Sequence, residues 1–318
     1  MRKSLTYKIL AALMAAGSFG LYTVAPAAAA EDVELIGSQL RANGETIVIE
    51  SNTLTTPSST AITTLHQNAY VYGIGYNESE AANFYTDTAN FGNVTITNST
   101  FAEVYGGFTI GVNGENTTAN SNEVKITNSD NNSINYVYGG YSNLGSANFN
   151  KVKLDGGNYG VVVGGSSGNN ADSNVVSISN AAINNYIIGG LGITTADDNK
   201  IEITNSIVSI SSSTKGWALT GGYASSGNAS YNQIIITDST ISGNVYGAYI
   251  DAASTQIANN NSITITGSSS NIANANLYGY ATYSGNAKVS NNTLTLNGWS
   301  GFTKSVKNFN DINFDNIN

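Results

Sequence analysis

Few residues in this sequence could do acid–base, nucleophilic or metal chemistry. It holds one histidine, His66, and no cysteine. A histidine-based triad or metal cluster needs several such groups brought together, and one imidazole does not supply them. The nearest approach to grouped acids is Asp197-Asp198 in "TTADDNKIEI", with Lys200 and Glu202 just after and Asp172 one repeat before. Grouped carboxylates are the chemistry of polysaccharide cleavage, but adjacent acids in a loop ordinarily serve to turn and solvate it. The G-G-x-G-x-D spacing of calcium-binding rolls lacks its aspartates after the glycine pairs here. No catalytic residue, metal site or cofactor is therefore expected. Tyrosine is the remaining candidate, in a column formed by Tyr72, Tyr105, Tyr138, Tyr246 and Tyr278, with Val163, Ile188 and Thr220 filling its other places. An aromatic strip of this kind could bind a sugar or a protein; the structural alternative is a stack of equivalent rings.

What must position these residues is a repeat. An aliphatic residue, often Tyr, then Gly and a second residue recur as "VYGI" at Val71, "VYGG" at Val104 and Val137, "VVGG" at Val162, "IIGG" at Ile187, "LTGG" at Leu219, "VYGA" at Val245 and "LYGY" at Leu277. The first glycines are 25 to 33 residues apart. Between them runs Asn-x-aliphatic-x-aliphatic: "NEVKI", "NKVKL", "NVVSI", "NKIEI", "NQIII", "NSITI" and "NTLTL", starting at Asn122, Asn150, Asn174, Asn199, Asn232, Asn261 and Asn292. "GNVTI" at Gly92 has Gly in the Asn place, and "ETIVI" at Glu45 reads as a degenerate earlier copy.

Alternation in "NKVKL" puts Val152 and Leu154 on one face and Lys151 and Lys153 on the other, the mark of a strand with one buried face. One unit is too small to bury that face alone, so units must stack. No segment shows a helical period; Gly, Ser and Asn fill the spaces between strands. The sequence therefore predicts an all-β fold, a right-handed parallel β-helix of about eight to nine coils. Coils spaced ~4.8 Å apart would make a rod on the order of 40 Å long. In such a stack the recurring asparagines form a ladder at a bend, bonding to backbone or to the next Asn. The glycines permit either positive φ or close backbone approach. Lys125, Lys151, Lys153 and Glu123 are expected on the outer face as exposed ion pairs worth little individually.

The expected organisation is a signal peptide over 1–30, an N-terminal cap or degenerate first coil over 31–66, repeats over 67–298, and the start of a truncated C-terminal section over 299–318. The signal has a basic start (Arg2, Lys3, Lys8), an apolar stretch from Ile9 to Leu21 and Ala28-Ala29-Ala30 before Glu31. That apolar stretch is too short to span a bilayer, and no later one is long enough. Removing those thirty residues leaves nine basic residues against 21 acidic, a net charge near −12. Nucleic acid and anionic membrane are excluded as partners on that balance.

The alternation of "VYGGYSNLGSANFNKVKLDGG" with "VVVGGSSGNNADSNVVSIS" and "NVYGAYIDAASTQIANNNSITITGSSS" resembles the passenger repeats of bacterial autotransporters, the type V secretion proteins of Gram-negative envelopes, over Val71 to Gly298. The resemblance implies a β-helical passenger that enters the Sec export machinery by its signal peptide and is carried to the cell surface or outer membrane, or released. It implies a non-enzymatic adhesin or rigid stalk whose partner is a protein or glycan of a host or neighbouring cell. The alternative from another class is a β-helical polysaccharide lyase or glycoside hydrolase. Such passengers precede a membrane β-barrel, and "NGWSGFTKSVKNFNDINFDNIN" resembles the hand-over to a next passenger section, so the sequence reads as truncated before a barrel, with a periplasmic location in that case.

Overall fold

The computed structural model describes residues 33–36, 39–42, 46–54, 69–73, 88–110, 117–128, 131–210, 216–251, 256–283, 287–299, 301 and 303–316. The expected signal segment, His66 and loop residues 111–116 lie outside these.

Among the described residues every regular element is a strand, and the strands stack as a parallel β-solenoid. The Asn-x-aliphatic-x-aliphatic segments become five-residue strands, such as Lys151–Asp155, Val175–Ser179 and Lys200–Thr204. Their burial alternates as the pattern requires, with Val152 and Leu154 inside and Lys151 and Lys153 out. Neighbours pair in parallel with no slip: Val152 lies between Val124 and Val176, and Leu154 between Ile126 and Ile178. A one-residue shift would turn every aliphatic to solvent, so burial fixes the register. Each fully buried Val, Leu or Ile contributes about 1.5–3 kcal/mol relative to exposure.

The glycine-pair segments form a second sheet of longer strands, including Phe101–Thr109, Ser133–Ser142, Asn158–Ser167, Ala182–Gly192, Thr240–Ile250 and Asn271–Thr282. In one turn the place is shared by Ile207–Ser209 and Leu219–Ala224. About seven turns carry this complete strand, slightly fewer than the eight to nine expected, because the end turns contribute only short pieces such as Tyr70–Tyr72 and Ser305–Lys307. A third side is held by isolated parallel bridges, Thr88 to Thr118 to Ser146 and Asn170 to Thr195 to Asn228. At the N-terminal end Val33–Ile36 pairs antiparallel with Gln39–Ala42, which joins the parallel stack through Tyr70–Tyr72. Thr46–Glu50 likewise pairs antiparallel with Thr53–Leu54 and parallel with Asn93–Thr97.

Each long strand bends and feeds the interior from two separate legs. The "VYGG" leg supplies Val104, Val137, Val162, Ile187, Leu219, Val245 and Leu277, all fully buried. An earlier leg supplies Phe101, Ile134, Tyr159, Ile183, Val208, Ile241 and Ile272, also buried. Ala89, Ala119, Ala147, Ala171, Ala196, Ala229 and Ala258 form a further inward column.

Left-handed residues flank the short strands. Phe91, Ser121, Phe149, Ser173, Asp198, Tyr231, Asn260 and Asn291 adopt positive φ two places before a strand. Asn98, Asn180, Asn205 and Asp238 do so just after one, where Gly156 and Gly267 stand in other turns. This conformation costs an ordinary L-residue about 1–2 kcal/mol, which Gly escapes and Asn or Asp partly offsets by local bonding. The glycine pairs take no part in it. They are required by close approach instead: a Cβ on Gly139 would meet the Gly164 carbonyl and lie 2.8 Å from Asn150 Cβ, and one on Gly140 would lie 2.6 Å from Asn150 Nδ2. The two halves of the repeat thus specify each other, glycine opposite asparagine.

Candidate functional site

The asparagine ladder is continuous and buried. Each Nδ2 donates to the Oδ1 of the next turn: Asn122 to Asn150 at 2.9 Å, Asn150 to Asn174 at 3.0 Å, Asn174 to Asn199 at 3.0 Å, Asn199 to Asn232 at 3.1 Å, Asn232 to Asn261 at 3.0 Å and Asn261 to Asn292 at 3.0 Å. The same Oδ1 atoms accept the backbone N–H of the preceding Asn, as in Asn150 N to Asn174 Oδ1 at 2.9 Å. With Gly92 in the Asn place, its N–H still donates to Asn122 Oδ1 at 2.7 Å. Every amide is engaged inside the wall of the solenoid, so the ladder is structural.

Asp172 and Asp197 join a second, outer ladder two residues upstream. Asn120 N donates to Asn90, Asn148 N to Asn120, Asp172 N to Asn148, Asp197 N to Asp172 Oδ1 at 2.8 Å and Ser230 N to Asp197 Oδ1 at 2.6 Å. Asp172 Oδ2 also accepts from the Thr195 hydroxyl at 2.8 Å. Burial, then the Asp172 and Asp198 charges, push Asp197 up to about 6, against the lowering effect of the Ser230 N–H. Asp198 occupies one of the exposed left-handed corners. Lys200 and Glu202 lie on the outer face of a short strand, paired at 2.6 Å and each well exposed. Glu202 lines a depression of about 330 Å³ with Lys153, Ser177 and Thr237, which neither Asp172 nor Asp197 reaches. The groups named from sequence are therefore spread over a ladder, a corner and an open sheet face. Glu123 and Lys151 are lateral neighbours, as are Lys125 and Lys153, all on the exposed side.

The tyrosine column points away from the interior, yet much of it is covered. Tyr72, Tyr105 and Tyr246 are only 1 %, 7 % and 5 % exposed, while Tyr138 and Tyr278 are half-buried. The cover comes from the same strands. Beyond the glycine pair the strand turns toward the column and presents a second one, Phe108, Tyr141, Ser166, Leu191, Tyr223, Tyr249 and Ala281, in lateral register. Tyr72 stacks on Tyr105 at 5.2 Å between centroids and Tyr105 on Tyr138 at 5.0 Å, nearly parallel in both cases. Phe108 stacks on Tyr141 at 4.9 Å, and the two stacks meet edge to face, Tyr105 against Phe108 at 5.0 Å. These are the preferred geometries of aromatic pairs, spaced by the strand interval. Tyr105 further donates its hydroxyl to Glu103. Burial raises Tyr246 to about 12 and Tyr72, Tyr105 and Tyr138 higher still.

A second aromatic block stands further along. Tyr223 stacks on Tyr249 at 5.2 Å, Tyr246 lies 5.0 Å from Tyr278, and Trp217 meets Tyr186 edge-on at 4.7 Å and Tyr223 at 6.1 Å. Between the blocks the columns lose their rings: Val163, Ile188 and Thr220 fill the first, Ser166 and Leu191 the second. Where they do, a cleft of about 310 Å³ opens, with Tyr141 at one end, Trp217 and Tyr223 at the other, and Ser166, Ser167 and Ser225 along it. Sequence reasoning found the first column but not the second, nor the cleft. The signal was present in the residue immediately after the glycine pair, aromatic in "GGY" at Tyr141 and Tyr223 and absent in "GGSS".

None of the family models, curated proteins or solved structures compared with this chain matches it. The fold defines it as a parallel β-solenoid.

Proposed function

We propose that this chain is the passenger-type solenoid of an exported surface protein, acting as a non-enzymatic adhesin on a rigid stalk in the manner of autotransporter passengers. The carrying observation is the two-column aromatic face, which spends large rings on an outer surface of the solenoid. Most of these rings bury one another, but Tyr138, Tyr141, Trp217 and Tyr278 stay partly exposed and present weakly polar edges suited to recognition. The repeat style and the basic, apolar and alanine-rich start of the sequence support export by the Sec route to the cell surface or medium. The partner in this reading is a glycan or protein of a host or neighbouring cell.

A second reading, a β-helical polysaccharide lyase or hydrolase, draws on Asp197, whose raised carboxyl is of the kind a general acid uses. Against it, Asp197 Oδ1 and both Asp172 oxygens are occupied by ladder bonds. Expression ahead of an outer-membrane barrel in a Gram-negative host tests the first reading. Surface labelling and cell aggregation are expected; a chain retained inside the cell would sink it. Cleavage of polysaccharide by the wild-type chain and its loss in Asp197→Asn would establish the second.

A further inference from the structure

We propose that the cleft between Tyr141 and Tyr223 is a binding site for a neutral saccharide, whose pyranose ring lies against the Tyr141 and Trp217 rings and whose hydroxyls bond to Ser166, Ser167 and Ser225. The proposal deepens the adhesin reading and rests on it for its biological meaning, while the cleft itself is independent of how the chain is displayed.

One face of Tyr141 is covered by Phe108 at 4.9 Å; on its other side the lateral neighbour is Ser166, which has no ring to offer. Tyr223 has Tyr249 on one side at 5.2 Å and Leu191 laterally on the other. The stack therefore stops and restarts across the cleft, leaving aromatic surface at both ends of a cavity of about 310 Å³, at the lower end of the range for small-molecule sites. A pyranose ring has the matching shape: one face of C–H groups with slight positive charge, which favours the negative face of an aromatic ring, and an equatorial belt of hydroxyls.

The rest of the lining selects among ligands. Ser166 and Ser225 offer hydroxyls that serve as donors or acceptors, as a sugar requires, and Ser167, whose Oγ accepts from Asn169 N, keeps an O–H to donate; the Ser142 hydroxyl is already engaged with Thr117 and Gly145 N. Among the described residues no Asp, Glu, Lys, Arg or His lines the cleft. An acidic sugar would find no cation among them and would enter the field of a chain carrying a formal charge of −9. A long apolar ligand would leave the serines unpaired. Neutral hexopyranosides satisfy both constraints.

The discriminating variant is Ser166→Tyr. It extends the ring column from Tyr141 by one turn, toward Leu191, and so occupies the cleft with the residue that the preceding turn already carries. Purified chain is titrated with methyl glycosides of glucose, galactose, mannose, fucose and N-acetylglucosamine, with glucuronic acid and sialic acid glycosides as charged probes. Indole fluorescence, to which Trp217 contributes, and saturation-transfer NMR report binding. At least one neutral glycoside is expected to saturate. Ser166→Tyr is expected to weaken it at least tenfold while keeping the urea midpoint of the wild type or raising it. Leu191→Tyr, closing the gap from the other side, serves if Ser166→Tyr does not fold. Saturation that survives both variants, preference for the acidic probes, or no saturable response to any neutral glycoside would each overturn the assignment. Glycoside binding without cell adhesion would leave the cleft standing and remove the adhesin reading. Adhesion indifferent to Ser166→Tyr and to neutral glycosides would do the reverse.

Discussion

Asparagine does at each turn what leucine could not do in its place: one side chain accepts two N–H groups from the turn before and donates one to the turn after. Asn174 is representative, accepting from Asn150 N and Asn150 Nδ2 and donating to Asn199. Replacing it with Ala would leave two buried donors of Asn150 without an acceptor, a loss of about 2–4 kcal/mol by the usual cost of unsatisfied buried groups. Urea unfolding of Asn174→Ala checks this, and an unchanged midpoint would contradict the ladder's role. Asp197, like Asp172 one turn before it, differs from the amide and hydroxyl members of its ladder in being a carboxylate. Its carboxyl is raised to about 6 in the folded chain from an ordinary value near 3.8, so the folded state holds the proton more tightly than the unfolded one. Its stabilising contribution is therefore full below about pH 4 and lost as pH rises toward 6. Asp197→Asn keeps the acceptor for Ser230 N and removes the charge. The variant is expected to melt higher than wild type at pH 7, with the advantage fading toward pH 4. A wild-type chain that gains stability from this residue as pH rises would refute the assignment.

At the scale of strands, legibility depended on whether a feature was local. The short strands could be read from alternation alone, since "NKVKL" names its own buried face, and the Asn place was visible because it precedes that face at a fixed offset. The earlier inward leg was not readable. Its buried residue varies among Phe101, Ile134, Tyr159 and Val208, and it follows a left-handed corner after which no alternation is established. The repeated "A-x-x-N" of "ANSN", "ANFN" and "ADSN" did mark the alanine column in plain text. The burial of Tyr72 and Tyr105 lay beyond reach for a different reason. Alternation assigns a side chain to the outer face, but the angle between successive legs decides whether that face meets water or another ring. The glycine pair sets this angle by permitting contact with the asparagine of its own turn. Gly139→Ala would force Cβ into the Gly164 carbonyl and is expected to cost more than about 1 kcal/mol, read from thermal unfolding. Alkaline titration followed by tyrosinate absorbance is expected to show a fraction of tyrosines, including Tyr223 and Tyr246 near 12, ionising well after the ordinary value of 10. Full titration around pH 10 in folded chain would mean that the columns are open.

Taken whole, the solenoid is a nearest-neighbour structure, in which each turn touches the one before and the one after. Because Asn150 and Asn174 hold equivalent places, excision of residues 150–173 would remove one turn and bring Asn174 into register above Asn122. That shortened chain is expected to keep a β-sheet circular dichroism spectrum and a cooperative transition. Excision of half as many residues is expected to abolish both, since it would set inward residues of one turn against outward residues of the next. The same modularity lets the outer surface vary without disturbing the fold: outer residues change from turn to turn while the ladder and the aliphatic columns stay constant. Ser166 in place of a ring is one such change. In the proposed function the aromatic face and its cleft are what this molecule presents to a partner. The most direct test of this is the adhesion of beads coated with the wild-type chain or with Ser166→Tyr to a panel of cells. Wild-type beads are expected to adhere and variant beads to lose most of that adhesion at equal folded density. Equal adhesion by the two, or none by either, would contradict the account.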